Sequence, residues 1–240
     1  MFSVPVIATA AGVSFDGSDS ELKDSLNLNN YNHTVTLANT GESDRLVVVM
    51  VGMCQNAVQT MSSCTLNGTA GTIANYGIDG GRAGNLAVIY WKDAQLPSSN
   101  GDYTLNCQWG SDADASIMIA FELSGVDQTT PLGTPDTDTA TGQTGYAYPN
   151  LNITGSSGSF ALTAALCADD YDSDKLDGKT PPTGVTEVAD DGGGYSGLDS
   201  VRLAAGYIES ISSNQDFDWT ETDAKNLDAL VGYAVVINEK

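Results

Sequence analysis

The sequence predicts an all-β protein, and three observations along the chain support that fold class. Short runs rich in β-branched and other apolar residues recur from one end to the other. Turn-forming Gly, Asn, Asp and Ser separate these runs, and no stretch repeats its apolar residues at helical spacing. The 240 residues include 26 Gly and 7 Pro, a mixture that fits many turns rather than disorder. We therefore predict a single antiparallel β-sandwich of about ten to twelve short strands.

The first half of the chain carries five predicted strands. Arg45–Met53 is continuously apolar, which is typical of a strand covered on both faces. Ala115–Gly125 is a second core strand, in which Ile117, Ile119 and Phe121 are expected to face the interior. The other three strands are His33–Asn39, Asn85–Asp93 and Asp102–Gly110.

The second half carries six more predicted strands and two polar insertions. Leu230–Ile237 is among the most apolar segments, so we expect it to pair inside a sheet rather than at an edge. The insertions span Thr130–Pro149 and Ala168–Ser200, and loops of that length in a compact domain are usually functional or mobile. The remaining strands are Ala147–Thr154, Ser159–Ala168 and the segments 183–190, 201–210 and 215–222.

The sequence FELSGVDQTTPLG, which follows the core strand, predicts a structural corner. Gly125 would release the strand into a turn, and Asp127 and the threonines would bond the turn backbone. Pro131 lacks a backbone N–H and would end the pairing, while Glu122 is expected to point outward into solvent.

The charge is strongly acidic and excludes some classes of partner. The chain has 31 acidic and 9 basic residues, a formal net charge of −22. Such a surface repels nucleic-acid phosphates and disfavours anionic membranes. The longest apolar run is far shorter than the ~20 residues of a membrane-spanning helix, and the first residues lack the pattern of a signal peptide.

Four cysteines leave two interpretations open. Without a CxxC pair or a nearby histidine, a zinc site is disfavoured. The favoured interpretation is four small buried thiols, and the alternative is two disulfides. The cysteines are Cys54, Cys64, Cys107 and Cys167.

The sequence predicts no catalytic residues and only a weak metal site. The single histidine, His33, lies in an alternating strand, and no nucleophile-elbow pattern accompanies it. In the second insertion, Asp172, Asp174 and Asp177 resemble the start of a Ca²⁺-binding loop. The match then fails, because Gly178 comes one residue late and no glutamate follows at the twelfth position. No cofactor is predicted.

Aromatic residues provide the candidate contacts for a ligand or partner. Trp91 and Trp109 lie in strands, so core packing is expected for both. Trp219 lies among acidic residues and is expected to be partly exposed. A carbohydrate-binding or adhesion module would use such aromatic side chains as stacking platforms. The candidate contact residues are Tyr146, Tyr148, Tyr171, Tyr195 and Trp219.

Three segments together resemble a jelly-roll-type β-sandwich domain that is found in phage structural proteins and in bacterial secreted proteins. They are DRLVVV at Asp44–Val49, SGVDQTTP at Ser124–Pro131 and AVVI at Ala234–Ile237. The resemblance implies a structural or binding role and supplies no catalytic residues. It also implies residues 41–240 as the sandwich domain, with residues 1–40 as an N-terminal arm and first strands that could attach to a shell.

From this resemblance we expect a non-enzymatic virion protein, assembled in the host cytoplasm, that decorates or projects from the capsid. Its partners would be the major capsid protein and its own copies. A tail-associated position and a module that binds a host-surface glycan are the alternatives.

Overall fold

The fold is all-β, as predicted. A computed structural model describes residues 12–38, 41–55, 59–80, 82–144, 151–156, 158–169, 179–194, 200–211, 215–221 and 226–240. The only helical piece within these ranges is a 3-10 turn at Asp93–Gln95. The strands are β1 Ser14–Leu37, β2 Leu46–Gln55, β3 Met61–Leu66, β4 Thr69–Ala70, β5 Thr72–Gly80, β6 Arg82–Lys92, β7 Gly101–Ser124, β8 Asp136–Thr144, β9 Asn152–Ile153, β10 Phe160–Asp169, β11 Lys179–Thr180, β12 Thr186–Gly194, β13 Ser200–Ile208, β14 Gln215–Asp216, β15 Thr220–Glu221 and β16 Asn226–Ile237.

Seven strands form one antiparallel sheet that is built around two very long strands. The order is β4-β3-β7-β2-β6-β5, and β1 pairs along the other side of β7. Strands β1 and β7 have 24 residues each, and their pairing runs from Ser14↔Ser124 to Leu37↔Gly101. Irregularities in the register on both sides of Leu28 interrupt this ladder near its middle. Bulges of this kind bend a strand, so they allow the sheet to fold back on itself.

The folded sheet is nearly closed into a flattened barrel. The second half of β7 pairs with β2, whereas its first half pairs with β3. A separate layer, which we call the flap, therefore consists of three segments: the first half of β7, the second half of β1, and β3. Beside β3, Asn75 accepts a hydrogen bond from Met61 N at 2.7 Å and donates one to Met61 O at 3.2 Å. This side-chain amide replaces a backbone pair and links β5 to the flap.

Five further strands form a second antiparallel sheet in the order β12-β13-β10-β16-β8. One hydrophobic core contains residues of both sheets, including Phe121 of β7 and Leu166 of β10. A second core fills the barrel, between the flap and the rest of the seven-stranded sheet. The arrangement is consistent with a β-sandwich, and the jelly-roll connectivity stays a prediction.

Several strand predictions are confirmed. Every residue from Leu46 to Cys54 is buried, as predicted for a strand covered on both faces. Ile117, Ile119 and Phe121 belong to the core between the sheets. Strand β16 lies between β10 and β8, so the apolar end of the chain pairs inside a sheet.

Other strand predictions were wrong. Asp102–Gly110 and Ala115–Gly125 are two halves of one strand, because Ser111–Asp114 stay extended, with Ala113 paired to Leu28, instead of forming a turn. The first insertion contains an edge strand, β8, whose alternating Asp and Thr residues hid it in the sequence. Strands β3 to β5 were missed because Ser, Thr, Asn and Gly interrupt their apolar residues.

Candidate functional site

The corner at Gly125–Pro131 forms with Gly125 and Asp127 in their predicted roles. The prediction that Pro131 ends the pairing was wrong, because the next residue, Leu132, bridges to Ile237 of β16. Gly125 has φ of 71°, in the left-handed region that favours glycine. The Asp127 carboxylate accepts hydrogen bonds from the backbone N–H groups of Thr129, at 2.6 Å, and Thr130, at 3.3 Å. These N–H groups, the Thr129 one foremost, hold the pKa of Asp127 below its usual range.

Gln128 connects the corner to the neighbouring turn of the seven-stranded sheet. Its side-chain oxygen accepts a bond from Asp93 N at 2.9 Å, and its Nε2 donates to Arg45 O at 3.2 Å. Arg45 is itself almost buried, and its guanidinium lies 2.6 Å from Asp93 and donates to Pro97 O.

The corner also holds the end of the chain, and so joins the two sheets. Asp127 N donates to Asn238 O, and Asn238 N donates to Pro131 O, both at 2.9 Å. Lys240 Nζ lies 2.7 Å from the Asp44 carboxylate. The corner therefore fixes the closing strand β16 against the strands β2 and β7.

The flap presents a polar surface to solvent, and we call it the amide–hydroxyl face. Buried residues such as Val35, Leu105 and Cys64 point into the barrel, so their neighbours along each strand point outward. Cross-strand pairs place these outward residues in rows, for example Thr34 beside Thr104. The face consists of Asn30, Asn32, Thr34 and Thr36 of β1, Asp102, Thr104, Asn106 and Gln108 of β7, and Ser63 and Thr65 of β3.

Hydrogen bonds order the side chains of this face. The Asn106 amide donates to Asn30 Oδ1 at 2.9 Å and to Asn32 Oδ1. Thr36 Oγ1 donates to Asp102 Oδ1 at 2.9 Å. Because Asp102 is the only charged residue of the face, the surface is almost neutral on a strongly acidic protein.

A disulfide lies directly beneath the face. Cys64 of β3 and Cys107 of β7 are cross-strand partners and are bonded to each other. The favoured prediction of four buried thiols was therefore wrong for this pair. Cys54 and Cys167 are buried and in no disulfide. The bond ties β3 to β7 within the flap, under Asn106 and Gln108.

Carboxylates from the first half of β1 and the second half of β7, which lie in the other layer of the barrel, cover the outer edge of the flap. The backbone N–H of Thr34 donates to Glu21 at 2.7 Å, and that of Thr36 donates to Asp19 at 3.0 Å. Ala38 N donates to both carboxylate oxygens of Glu122, at 3.0 and 3.1 Å. Exposed edge N–H groups invite pairing with other chains, so these carboxylates block strand addition.

The predicted orientation of Glu122 was therefore wrong. Its side chain is 2% exposed and lies at the edge of the barrel instead of in solvent. Glu122 alternates with Phe121 and Leu123, so its side chain points to the face of β7 opposite theirs. That second face is also buried, because the flap folds over it.

His33 lies in a strand, as predicted, and connects the two layers of the barrel. Its Nε2 is 3.4 Å from Ser116 Oγ, and its Nδ1 is 3.6 Å from the Glu21 carboxylate. This order of serine, histidine and acid is that of a hydrolase triad. However, Ser116 is fully buried and His33 is 1% exposed, so a substrate cannot reach the hydroxyl in this conformation.

The prediction that Trp219 is partly exposed was wrong. Its side chain is fully buried on the outer face of the five-stranded sheet, against Ala165, Ala204 and Leu230. Its indole N–H donates to Thr163 Oγ1 at 3.0 Å. Trp219 therefore provides no stacking platform, whereas the burial predicted for Trp91 and Trp109 is confirmed.

The other predicted contact and metal residues lie outside the described residues. They are Tyr146, Tyr148, Tyr171 and Tyr195, together with Asp172, Asp174 and Asp177. Within the ranges that the structure describes, no group of three or more His, Cys, Asp or Glu side chains is arranged to hold a metal ion. No helix in those ranges is long and apolar enough to cross a membrane.

Two shallow grooves are lined by residues of the second half of the chain. One, of about 310 Å³, is lined by Pro181, Pro182, Asp216 and Asp218. Burial raises the pKa of Asp218, and the charge of Asp216 adds to the effect. The other, of about 560 Å³, is lined by small Gly, Ser and Thr residues around Asn238. Neither brings together a nucleophile and a base.

The sequence analysis missed the amide–hydroxyl face, although its signal is visible. In NNYNHTVTL the small polar residues alternate with Tyr31, His33, Val35 and Leu37, which are buried. What the sequence does not reveal is that three such strands lie side by side.

Comparison with known proteins gives no further assignment. The chain matches no family model, no curated protein and no solved structure.

Proposed function

We propose that the chain is a non-enzymatic structural protein of a phage particle, a capsid decoration or surface-projection protein with a jelly-roll-type fold. One observation carries the proposal: the three segments of the resemblance, far apart in the sequence, meet at one corner. Val126 N donates to Asp44 O at 3.0 Å, and Asp127 N donates to Asn238 O just after the closing strand. Segments that contact one another in this way are expected to belong to one domain. Their contact supports our proposal that this chain shares the fold of the domain that the segments resemble.

The distribution of charge supports an outward-facing role. Arg45, Arg202 and Lys240 are each paired with an aspartate, so these cations compensate part of the acidic surface only locally. The net charge of −22 then repels nucleic acid and anionic membranes, neither of which we propose as a partner. In this proposal a sheet edge, or the part of residues 1–40 that lies outside the flap, attaches to the major capsid protein, and the acidic loops face outward.

Symmetry would multiply the affinity of such an attachment. Copies of one chain on a symmetric shell use identical interfaces, and contacts among neighbouring copies add avidity. Assembly would take place in the host cytoplasm, and the protein would leave the cell as part of the virion.

The test uses capsids of the same phage from which this protein has been removed. Purified chain is added, and bound chain is measured by co-sedimentation over a concentration series. We expect saturation at a ratio that matches the capsid symmetry, together with higher heat resistance of the capsids. An unrelated protein of similar net charge controls for electrostatic adsorption. Absence of saturable binding, or binding equal to that of the control protein, would exclude the decoration role.

A further inference from the structure

We propose that the amide–hydroxyl face binds a neutral, polyhydroxylated polymer, that is, an uncharged glycan chain. The inference does not depend on the virion role, because it rests only on the flap. Five features of the face support it: its charge, its chemistry, its shape, its composition and its rigidity.

The charge of the face selects an uncharged ligand. The chain carries 31 acidic residues, yet the rows from Asn30 to Thr36 and from Asp102 to Gln108 contain a single acid, Asp102 at one end. A cationic partner would find more favourable charge at clusters of carboxylates, such as Asp19 and Glu21 at the edge of the flap. An anionic partner is repelled by the rest of the molecule. A neutral ligand is therefore the class that this face accommodates best.

The chemistry of the face matches hydroxyl groups. Amides of Asn and Gln and hydroxyls of Ser and Thr each combine donors with acceptors. A sugar hydroxyl also donates and accepts, so it can bond each amide or hydroxyl side chain of the face in either direction. The side chains of Thr34 and Thr104 share one row, and that of Gln108 lies two rows away. All three are exposed and offer such groups to solvent.

The shape of the face indicates a polymer rather than a small molecule. Small ligands bind in concave pockets, whereas this face is the outer side of a sheet. Neighbouring strands are ~4.8 Å apart and outward residues along a strand are about 7 Å apart, so the polar groups form a regular grid. A chain of repeating hydroxylated units can contact many points of such a grid at once, each contact adding a small contribution.

The composition argues against a protein partner at this face. The centres of protein interfaces are enriched in aromatic residues, Met and Arg, and the face contains none of these. Leu28, at the end of the face, is the only large hydrophobic side chain in the described part of the chain that is exposed to solvent. One such residue does not form the apolar centre of a stable interface.

The face is held rigid before any ligand binds. The Cys64–Cys107 disulfide joins β3 and β7 beneath it, and the Asn106 amide bridges to Asn30 and Asn32. Tyr31 OH donates to Ala113 O at 2.6 Å on the inner side of the flap. Rigid polar groups lose little entropy on binding, which favours weak but specific contacts.

The experiment is native affinity electrophoresis of the full chain in gels that contain a soluble neutral polysaccharide. The probes are dextran, hydroxyethylcellulose and galactomannan, and anionic alginate tests the charge requirement. We expect retardation by at least one neutral polymer and none by alginate. In the double variant Thr34→Val and Thr104→Val, which keeps the side-chain shape but removes two hydroxyls, binding should be about tenfold weaker. Serine at both positions should restore most of the binding.

The matched control is Thr137→Val with Thr139→Val, two exposed threonines on the edge strand β8, which should bind as the wild type does. Thermal unfolding of each variant verifies that it is folded. The proposal is overturned if no neutral polymer retards the wild type, or if the valine variant is retarded as strongly as the wild type. Sedimentation that shows self-association, lost in the same valine variant, would instead assign the face to contacts between copies.

Discussion

The outer faces of the two sheets are built from opposite kinds of residue, and only one of them is covered. On the five-stranded sheet the outward positions hold small apolar residues such as Ala161, Ala165 and Ala204, and Trp219 and Phe217 of a later segment cover them. On the flap the outward positions hold amides and hydroxyls, and no segment in the described ranges lies over them.

This difference shows how the sequence decides which surface remains available. A face of alanines cannot be left in water without losing its hydrophobic stabilisation, and its small side chains leave room for large ones from elsewhere in the chain. Gly232 illustrates the fit, because a Cβ there would lie 2.9 Å from Leu151. A face of Thr and Asn has no such requirement, so it can remain open for a partner.

The largest expected effect comes from removing the cover of the five-stranded sheet. We expect Trp219→Ala to lower the free energy of unfolding by about 4 kcal/mol, since it empties a fully buried site and leaves Thr163 Oγ1 without its donor. Urea denaturation followed by far-UV circular dichroism measures the change. Trp219→Phe is the matched control, because it keeps most of the volume and loses the indole N–H. A loss of less than about 1 kcal/mol for the alanine variant would show that the cover is not part of the core.

The second prediction concerns the flap, which depends on a covalent bond instead of a cover. Replacing Cys64 and Cys107 by Ala should cost about 3 kcal/mol, because the disulfide closes a loop with a sequence separation of 43. The wild type in the presence of a reductant should reach the same unfolding midpoint as this variant. The variant itself should not respond to reductant, and a response would point to Cys54 or Cys167 instead. Under the virion proposal the bond would close only after the particle leaves the reducing cytoplasm.

The third prediction tests the carboxylates along the edge of the flap. Glu122→Ala should cost about 2 kcal/mol, because it leaves the backbone N–H of Ala38 without the buried carboxylate that accepts its hydrogen bond. Glu21→Ala is the comparison, and about 1 kcal/mol is expected because the Glu21 side chain is 27% exposed and water can replace it at Thr34 N. Urea denaturation measures both, and light scattering tests whether the uncovered edge promotes aggregation. Equal losses for the two variants would contradict the assigned difference in burial.

Local patterns were sufficient to predict the strands that lie in the cores. Arg45–Met53 and Leu230–Ile237 are apolar throughout, and the turn chemistry of Gly125 and Asp127 is encoded within a few residues. Such features depend on neighbours in sequence, so a single chain displays them.

The functional face and its supports depend on residues far apart in sequence. Glu122 is buried only because β1 folds over it, and Trp219 is buried only because small residues on three other strands make room for it. The pairing of Cys64 with Cys107 depends on the register between β3 and β7. No local pattern specifies these long-range contacts, and for that reason the exposure predictions for Glu122 and Trp219 failed while the strand predictions around them held.

The smallest expected effect lies at the corner that joins the two sheets. The N–H groups of Thr129 and Thr130 lower the pKa of Asp127, so its charged form stabilises the folded state. That contribution is fully present above the unfolded pKa of about 3.9, and it is lost as the pH falls through the lower, folded pKa. Asp127→Asn should therefore be less stable than the wild type near neutral pH, and the difference should shrink below about pH 4. Unfolding midpoints in urea between neutral and acidic pH measure this, with Asp112→Asn as the control for the loss of one surface charge. A difference between wild type and Asp127→Asn that stays constant through that pH range would mean that the carboxylate charge does not stabilise the corner.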